Sequence, residues 1–137
     1  MSRTRISSVL RQQVWERAGH RCEYCLIREK GALLSYTVDH ILAEQHGGKT
    51  ILENLAQACI HCNRKKGPNI ASLDPTTGSL VPLFNPRLQH WAEHFQLKGN
   101  LILALTPIGR ATVNLLELNS RERIRVRQGL IAMRRYP

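Results

Sequence analysis

Four cysteines fall into two pairs, Cys22/Cys25 and Cys59/Cys62, each spaced C-x-x-C, and the chain has no others. A C-x-x-C turn points both thiolates inward, and two such turns complete the tetrahedral sulfur shell that Zn²⁺ prefers. Buried free thiols and a redox pair are the other chemistries open to this spacing; the use of every cysteine in two matched pairs favours zinc. An ion held by four sulfurs has no open position for a substrate, so it acts as a staple. The 33 residues between Cys25 and Cys59 exceed the roughly 15–20 of an ordinary zinc ribbon. Something is inserted between the two knuckles.

The insert carries a second polar set: Asp39-His40, Gly47-Gly48 and Asn54, with Asn63 directly after the last cysteine. Asp and Asn oxygens suit a hard divalent cation such as Mg²⁺, with water filling the remaining positions. A neutral histidine beside such an ion can take a proton from water near pH 7. A metal that clamps a phosphodiester, with a base that makes hydroxide, is a sufficient kit for phosphodiester hydrolysis. There is no Ser/His/Asp set, no P-loop and no dinucleotide fingerprint. Among the other histidines, His61 sits between two cysteines, where the turn should aim it away from the zinc. His46 reads as a solvated loop residue, and Gly47-Gly48 as backbone that permits a positive-φ turn.

The order CEYC…VDHILAEQHGGKT…ENLAQACIHCNRKKG resembles the HNH endonuclease family, whose ββα-metal fold carries C-x-x-C, DH, GG, NL and C-x-x-C-N-x-x-K. The resemblance covers about Arg21 to Gly67. It implies that His40 is the general base and that Asp39 ligates the catalytic metal from the end of the first strand. It implies that Asn54 fixes the loop and the orientation of His40 through backbone hydrogen bonds. Asn63 stands where the family has its second metal ligand; many members carry His there, so this chain is an HNN variant compatible with Mg²⁺ or Mn²⁺. Lys66 matches a basic position that could contact a phosphate, and Arg64 and Lys65 join it in attracting DNA. Ala43 replaces the Pro that commonly follows DHI. The segment LDPTTGSLVPLFNPRLQHWAEHF also resembles a C-terminal extension of some bacterial members.

Twenty Lys and Arg against ten Asp and Glu give a formal net charge of +10, which points to a polyanionic partner, most simply nucleic acid. Solubility and affinity for membrane headgroups are the other uses of such a surface. The longest apolar run, Leu101 to Leu105, is far short of the roughly 20 residues of a spanning helix. The opening MSRTRISSVL has no apolar signal core; the expected compartment is the cytoplasm, where thiols stay reduced. Two non-enzymatic readings stand beside the nuclease: a zinc-stapled module that only binds nucleic acid, and a basic domain that meets an acidic protein. A monomer and a homodimer are both compatible with the sequence.

Several elements must position these residues. Ser7 or Ser8 caps a helix over about Val9 to Ala18, with Val9, Leu10, Val14 and Ala18 on one face and Gly19 at its end. ALLSYTVDHI reads as a strand leading into Asp39-His40, NLAQA as a short extended segment, and IHCNRKK as a helix stopped by Gly67-Pro68. Further on, DPTTG is a turn, and NPRLQHWAEHF reads as a helix capped by Asn85 and opened by Pro86. FQLKGNLILALT suits a hairpin turning at Gly99-Asn100. TPIGRATVNLLEL and SRERIRVRQGLIAMRR read as helices opened by Pro107 and capped by Ser120. The last should bury Ile124, Leu130 and Ile131 and display Arg121, Arg123, Arg125, Arg127, Arg134 and Arg135. Trp15 and Trp91 should be core residues. The expectation is an α+β chain: a ββα-metal core over residues 1–70 stapled by a four-cysteine zinc site, and an α+β extension over 71–137 packed on it as one compact unit.

Overall fold

The computed structural model describes residues 4–28 and 36–137. Helix α1 (Ser8–Arg17) begins at Ser7, whose hydroxyl accepts the Leu10 N–H at 3.2 Å, satisfying one of the donors that a helix start leaves over. Gly19, at φ +63°, follows its end. Of the four residues expected to form its inner face, only Val14 is buried; Val9 is 68 % exposed. The helix packs through Val14, with Leu10 half-buried beside it, on Ile6, Val38 and Leu55, and Arg17 donates to the Leu52 and Leu55 carbonyls.

Strands β1 (Tyr36–His40) and β2 (Leu55–Cys59) pair antiparallel, with Asp39 opposite Ala56 and His40 opposite Leu55. The part of the expected strand before Tyr36 lies outside the described residues. Helix α2 (Ile60–Lys66) follows β2 without a linker, which gives the expected ββα unit. A zinc-knuckle sulfur starts this helix: Cys59 Sγ accepts the Cys62 N–H at 3.4 Å. Gly67, at φ +52°, ends it.

Two hairpins follow, β3 (Ala71–Leu73) with β4 (Leu80–Pro82) and β5 (Phe95–Lys98) with β6 (Leu101–Ala104). The second turns at Gly99-Asn100 between paired Lys98 and Leu101, and Gly99 takes the positive φ that such a tight turn needs. Helices α4 (Pro107–Leu115) and α5 (Arg121–Ala132) start on Thr106 and Ser120 caps. Among the described residues no helix is long and apolar enough to cross a membrane.

Two expectations for this half need correction. Residues 85–89 form a turn in which Asn85 Oδ1 accepts the Arg87 and Leu88 N–H groups, and helix α3 covers only Trp91–His94. The asparagine that resembled a helix cap closes its own turn, and Trp91 is held elsewhere by an indole N–H bond to the Tyr24 carbonyl at 2.9 Å. In α5 the inward face is Arg123, Arg127 and Leu130, while Ile131 is 38 % exposed. Spacing of four and three residues places those two arginines on the leucine's face. Trp15 and Trp91 are half-buried, with Trp15 stacked on His20.

The main core draws on both halves of the chain. Cys22, Tyr24, Ala56 and Cys62 share it with Phe84, Phe95, Ile102, Leu116 and Leu130. Polar ties cross the same boundary: the Tyr136 hydroxyl donates to the Cys25 carbonyl at 2.8 Å, and Arg87 pairs with Glu23.

The first hairpin is fastened by Asp74, which is fully buried. Its carboxylate accepts the Thr76 N–H, the Thr77 hydroxyl and a two-pronged bond from Arg110 with both contacts at 2.8 Å. The Arg110 guanidinium holds this carboxyl well below its ordinary range. A carboxylate whose folded value is depressed contributes stability above its unfolded value, about 3.9, and loses it as pH falls. Asp74→Asn should therefore lower Tm at neutral pH, and the gap to wild type should close as pH drops below about 4; a gap that stays constant with pH would refute the ionic contribution.

Candidate active site and metal centre

The four cysteine sulfurs lie within 4.8 Å of one another, all buried. Cys25 and Cys59 Sγ are 3.8 Å apart, matching the edge of about 3.8 Å of a tetrahedron with Zn–S bonds near 2.3 Å. The four cysteines are thus positioned to hold a zinc ion. Four thiolates around one Zn²⁺ leave net negative charge, and Arg123 supplies the opposite charge. Its Nη2 donates to Cys62 Sγ at 2.9 Å and lies 3.8 Å from Cys59 Sγ, while Nη1 donates to the Leu116 carbonyl. Burial works against the charge on Arg123, and the surrounding cysteine sulfurs more than offset it.

The two residues between the first cysteine pair both carry structural contacts. Glu23 exchanges hydrogen bonds with Gln57 of β2, its N–H to the Gln57 carbonyl and its carboxylate to the Gln57 N–H. The Tyr24 hydroxyl donates to Asp39 Oδ2 at 2.7 Å. Asp39 is buried at the end of β1, and Lys66 Nζ approaches both its oxygens, at 3.3 and 3.2 Å. The same ammonium donates to the His40 and Ile41 carbonyls. Burial pushes the Asp39 carboxyl above its usual value, and Lys66 and the tyrosine hydroxyl pull it back.

The basic trio after the second knuckle is therefore split. Arg64 is exposed and borders the cavity described below. Lys65 is exposed and pairs with Glu117 at 2.7 Å. Lys66, expected to meet a phosphate, is 1 % exposed. It sits one helical turn after Cys62, so the geometry that aims the cysteine at the zinc also aims the lysine inward.

Asn63 stands one residue from that inner line, three before Lys66, and its Nδ2 is 3.5 Å from Asp39 Oδ1. Asp39, His40, Glu44, Asn63 and Arg64 share the lining of one open cavity of about 350 Å³. A half-turn of the Asn63 amide exchanges its nitrogen for its oxygen. Carboxylate and amide oxygens at this separation suit a hard cation that keeps several waters. The four cysteines are the only group of three or more Cys, His, Asp or Glu ligands gathered closely enough for an ion among the described residues. A cation at Asp39 would thus rest on few side chains.

Asn54 lies outside the cavity and acts on the loop that borders it. Its Oδ1 accepts the Leu42 N–H, and its Nδ2 donates to the Leu42 and Lys49 carbonyls, each at 2.9 Å. Gly48 lies beneath this clamp. A Cβ on Gly48 would stand 1.7 Å from the Leu42 oxygen, so no larger residue fits there, whereas Gly47 takes the positive φ of +91°. His40 is buried at the strand's last position, with Nε2 2.9 Å from the Thr50 hydroxyl. His46 is exposed and His61 half-buried. Tyr24, Glu44, Thr50 and Arg123 join these contacts without occupying a defined position of any of the motifs. Only Arg123 had a readable signal, its place on the Leu130 face of α5.

Residues 22–69 match the family model described as HNH endonuclease. No curated protein and no solved structure matches the chain.

Two expectations follow. Outer partners of metal-bound ligands are typically worth about 10–100-fold in metal affinity, so Arg123→Leu should weaken zinc retention by about that factor in chelator competition. Unchanged zinc affinity would remove Arg123 from the metal's surroundings. Removing one partner of a buried ion pair costs roughly 3–5 kcal/mol, so Lys66→Ala should be destabilised on that scale in denaturant unfolding, while Arg64→Ala keeps wild-type stability; equal stability of all three proteins would contradict the buried pair.

Proposed function

We propose, from the match of residues 22–69 to the family model described as HNH endonuclease, that the protein hydrolyses phosphodiester bonds of DNA in a divalent-metal-dependent reaction. The observation that carries this reading is the shared cavity, in which His40 lies beside Asp39 and Asn63 at the end of β1.

In the proposed reaction His40 accepts a proton from the water that attacks phosphorus in line with the departing 3′ oxygen. A base worth about 10²–10⁴ in rate has to stand within reach of that water, and the cavity provides the room. Asp39 and Asn63 would hold the cation, and Mg²⁺ or Mn²⁺ there would neutralise charge on the phosphate and the departing oxygen. Tyr24 and Lys66 keep the Asp39 carboxylate from turning away. Asn54 keeps the Leu42–Lys49 loop closed against His40. Arg64, exposed at the cavity edge, meets the nucleic-acid backbone without reading its sequence. Lys66 belongs to the support of Asp39 in this reading and not to the DNA contact surface.

Nicking of supercoiled plasmid tests the reading. Wild type should cut with Mg²⁺ or Mn²⁺ and not without added metal, and His40→Ala should lose about 10²–10⁴-fold in rate while keeping its zinc and its affinity for DNA. Equal cleavage by His40→Ala would overturn the role of the base. DNA binding without cleavage by wild type would instead favour the zinc-stapled binding module.

A further inference from the structure

His40 has two ring nitrogens, and only one can serve as the proton acceptor. The contacts around Nε2 decide which. Nε2 is 2.9 Å from Thr50 Oγ1, and the Thr50 hydroxyl donates to Glu44 Oε1 at 3.0 Å. Glu44 Oε1 is itself 3.6 Å from Nε2, too long for a good hydrogen bond of its own.

A threonine hydroxyl has a single proton, and an ionised carboxylate can only accept. Once Thr50 gives its proton to Glu44, its oxygen can face His40 only as an acceptor. The neutral imidazole must then carry its hydrogen on Nε2. Its lone pair is left on Nδ1, which has no hydrogen-bond partner among the described residues and is not sealed from solvent. The ring borders the same cavity as Asp39 and Asn63. We propose that Thr50 and Glu44 are positioning residues that lock His40 in the Nε2–H form, so that Nδ1 faces the cavity as the proton acceptor.

The loop geometry supports the assignment. Glu44 opens the short 3₁₀ turn Glu44–His46 just after β1, and Thr50 follows the Gly47-Gly48 bend. The three Asn54 bonds to Leu42 and Lys49 hold both ends of that loop. They bring the carboxylate and the hydroxyl of residues 44 and 50 together on one edge of the imidazole. The order His–hydroxyl–carboxylate does for the imidazole what a carboxylate does directly when it orients a general base.

This inference rests on the nuclease reading for its catalytic meaning, but the tautomer can be read without activity. Long-range ¹H–¹⁵N NMR of the neutral His40 ring should show a protonated Nε2 and a pyridine-type Nδ1 in wild type. Thr50→Val removes the acceptor, and Glu44→Ala frees the hydroxyl to donate toward the ring; both should yield a mixture of tautomers. In the nicking assay both should lower kcat about ten- to hundred-fold with KM changed little, and Thr50→Ser should restore both tautomer and rate. A wild-type ring protonated on Nδ1, or a Thr50→Val protein with wild-type tautomer and kcat, would overturn the proposal. A wild-type ring protonated on Nε2 in a protein that cuts no DNA would support the relay and defeat the nuclease reading alone.

Discussion

A carboxylate buried at the end of a strand has to be paid for in hydrogen bonds and opposite charge, and Asp39 obtains both from the zinc knuckles. Tyr24 lies between the first two cysteines and Lys66 one turn beyond the last, and both reach Asp39. An isolated buried carboxylate would take up a proton. With a hydroxyl and an ammonium on its oxygens, it can stay ionised in a place where water cannot solvate it. The four-cysteine cluster thus does more than close a loop. It fixes the two side chains that hold the carboxylate, and through them the end of β1 where His40 sits.

The second half of the chain enters through the same centre. Arg123 comes from α5, over sixty residues after the second cysteine knuckle begins, and places its charge against the cysteine sulfurs. Arg127, one turn later, is fully buried and donates to the Asn100 carbonyl and to Asn119. A helix that looks like a basic surface helix therefore directs two of its arginines inward, where cysteine sulfurs and buried oxygens accept their N–H groups. The exposed charge available for a polyanion is correspondingly less than the composition implies.

Much of the secondary structure was legible because its signals are local. Ser7 and Ser120 cap helices through their own hydroxyls, Pro107 opens another, and Gly99 permits a turn that few other residues tolerate. Where another local bond or a tertiary contact competes, the helix signal fails. Asn85 closed its own turn instead of a helix, and the contacts of Trp91 lie with Tyr24, far away in the sequence. Val9 and Val14 look alike to a helical pattern, but only Val14 meets the sheet.

By itself, the sequence determined the four cysteines that come together and the ββα order of the core. Residue identity and spacing are enough for these, since a C-x-x-C turn, a strand and a helix start are each set within a few residues. Only the tertiary structure decided that Lys66 supports a carboxylate while Arg64 remains outside, that Arg123 faces sulfur, and that Thr50 and Glu44 meet one edge of His40. Each of these depends on the direction of a side chain relative to an element distant in the chain. Charge and spacing do not encode that direction; burial and hydrogen-bond satisfaction select it when the elements pack.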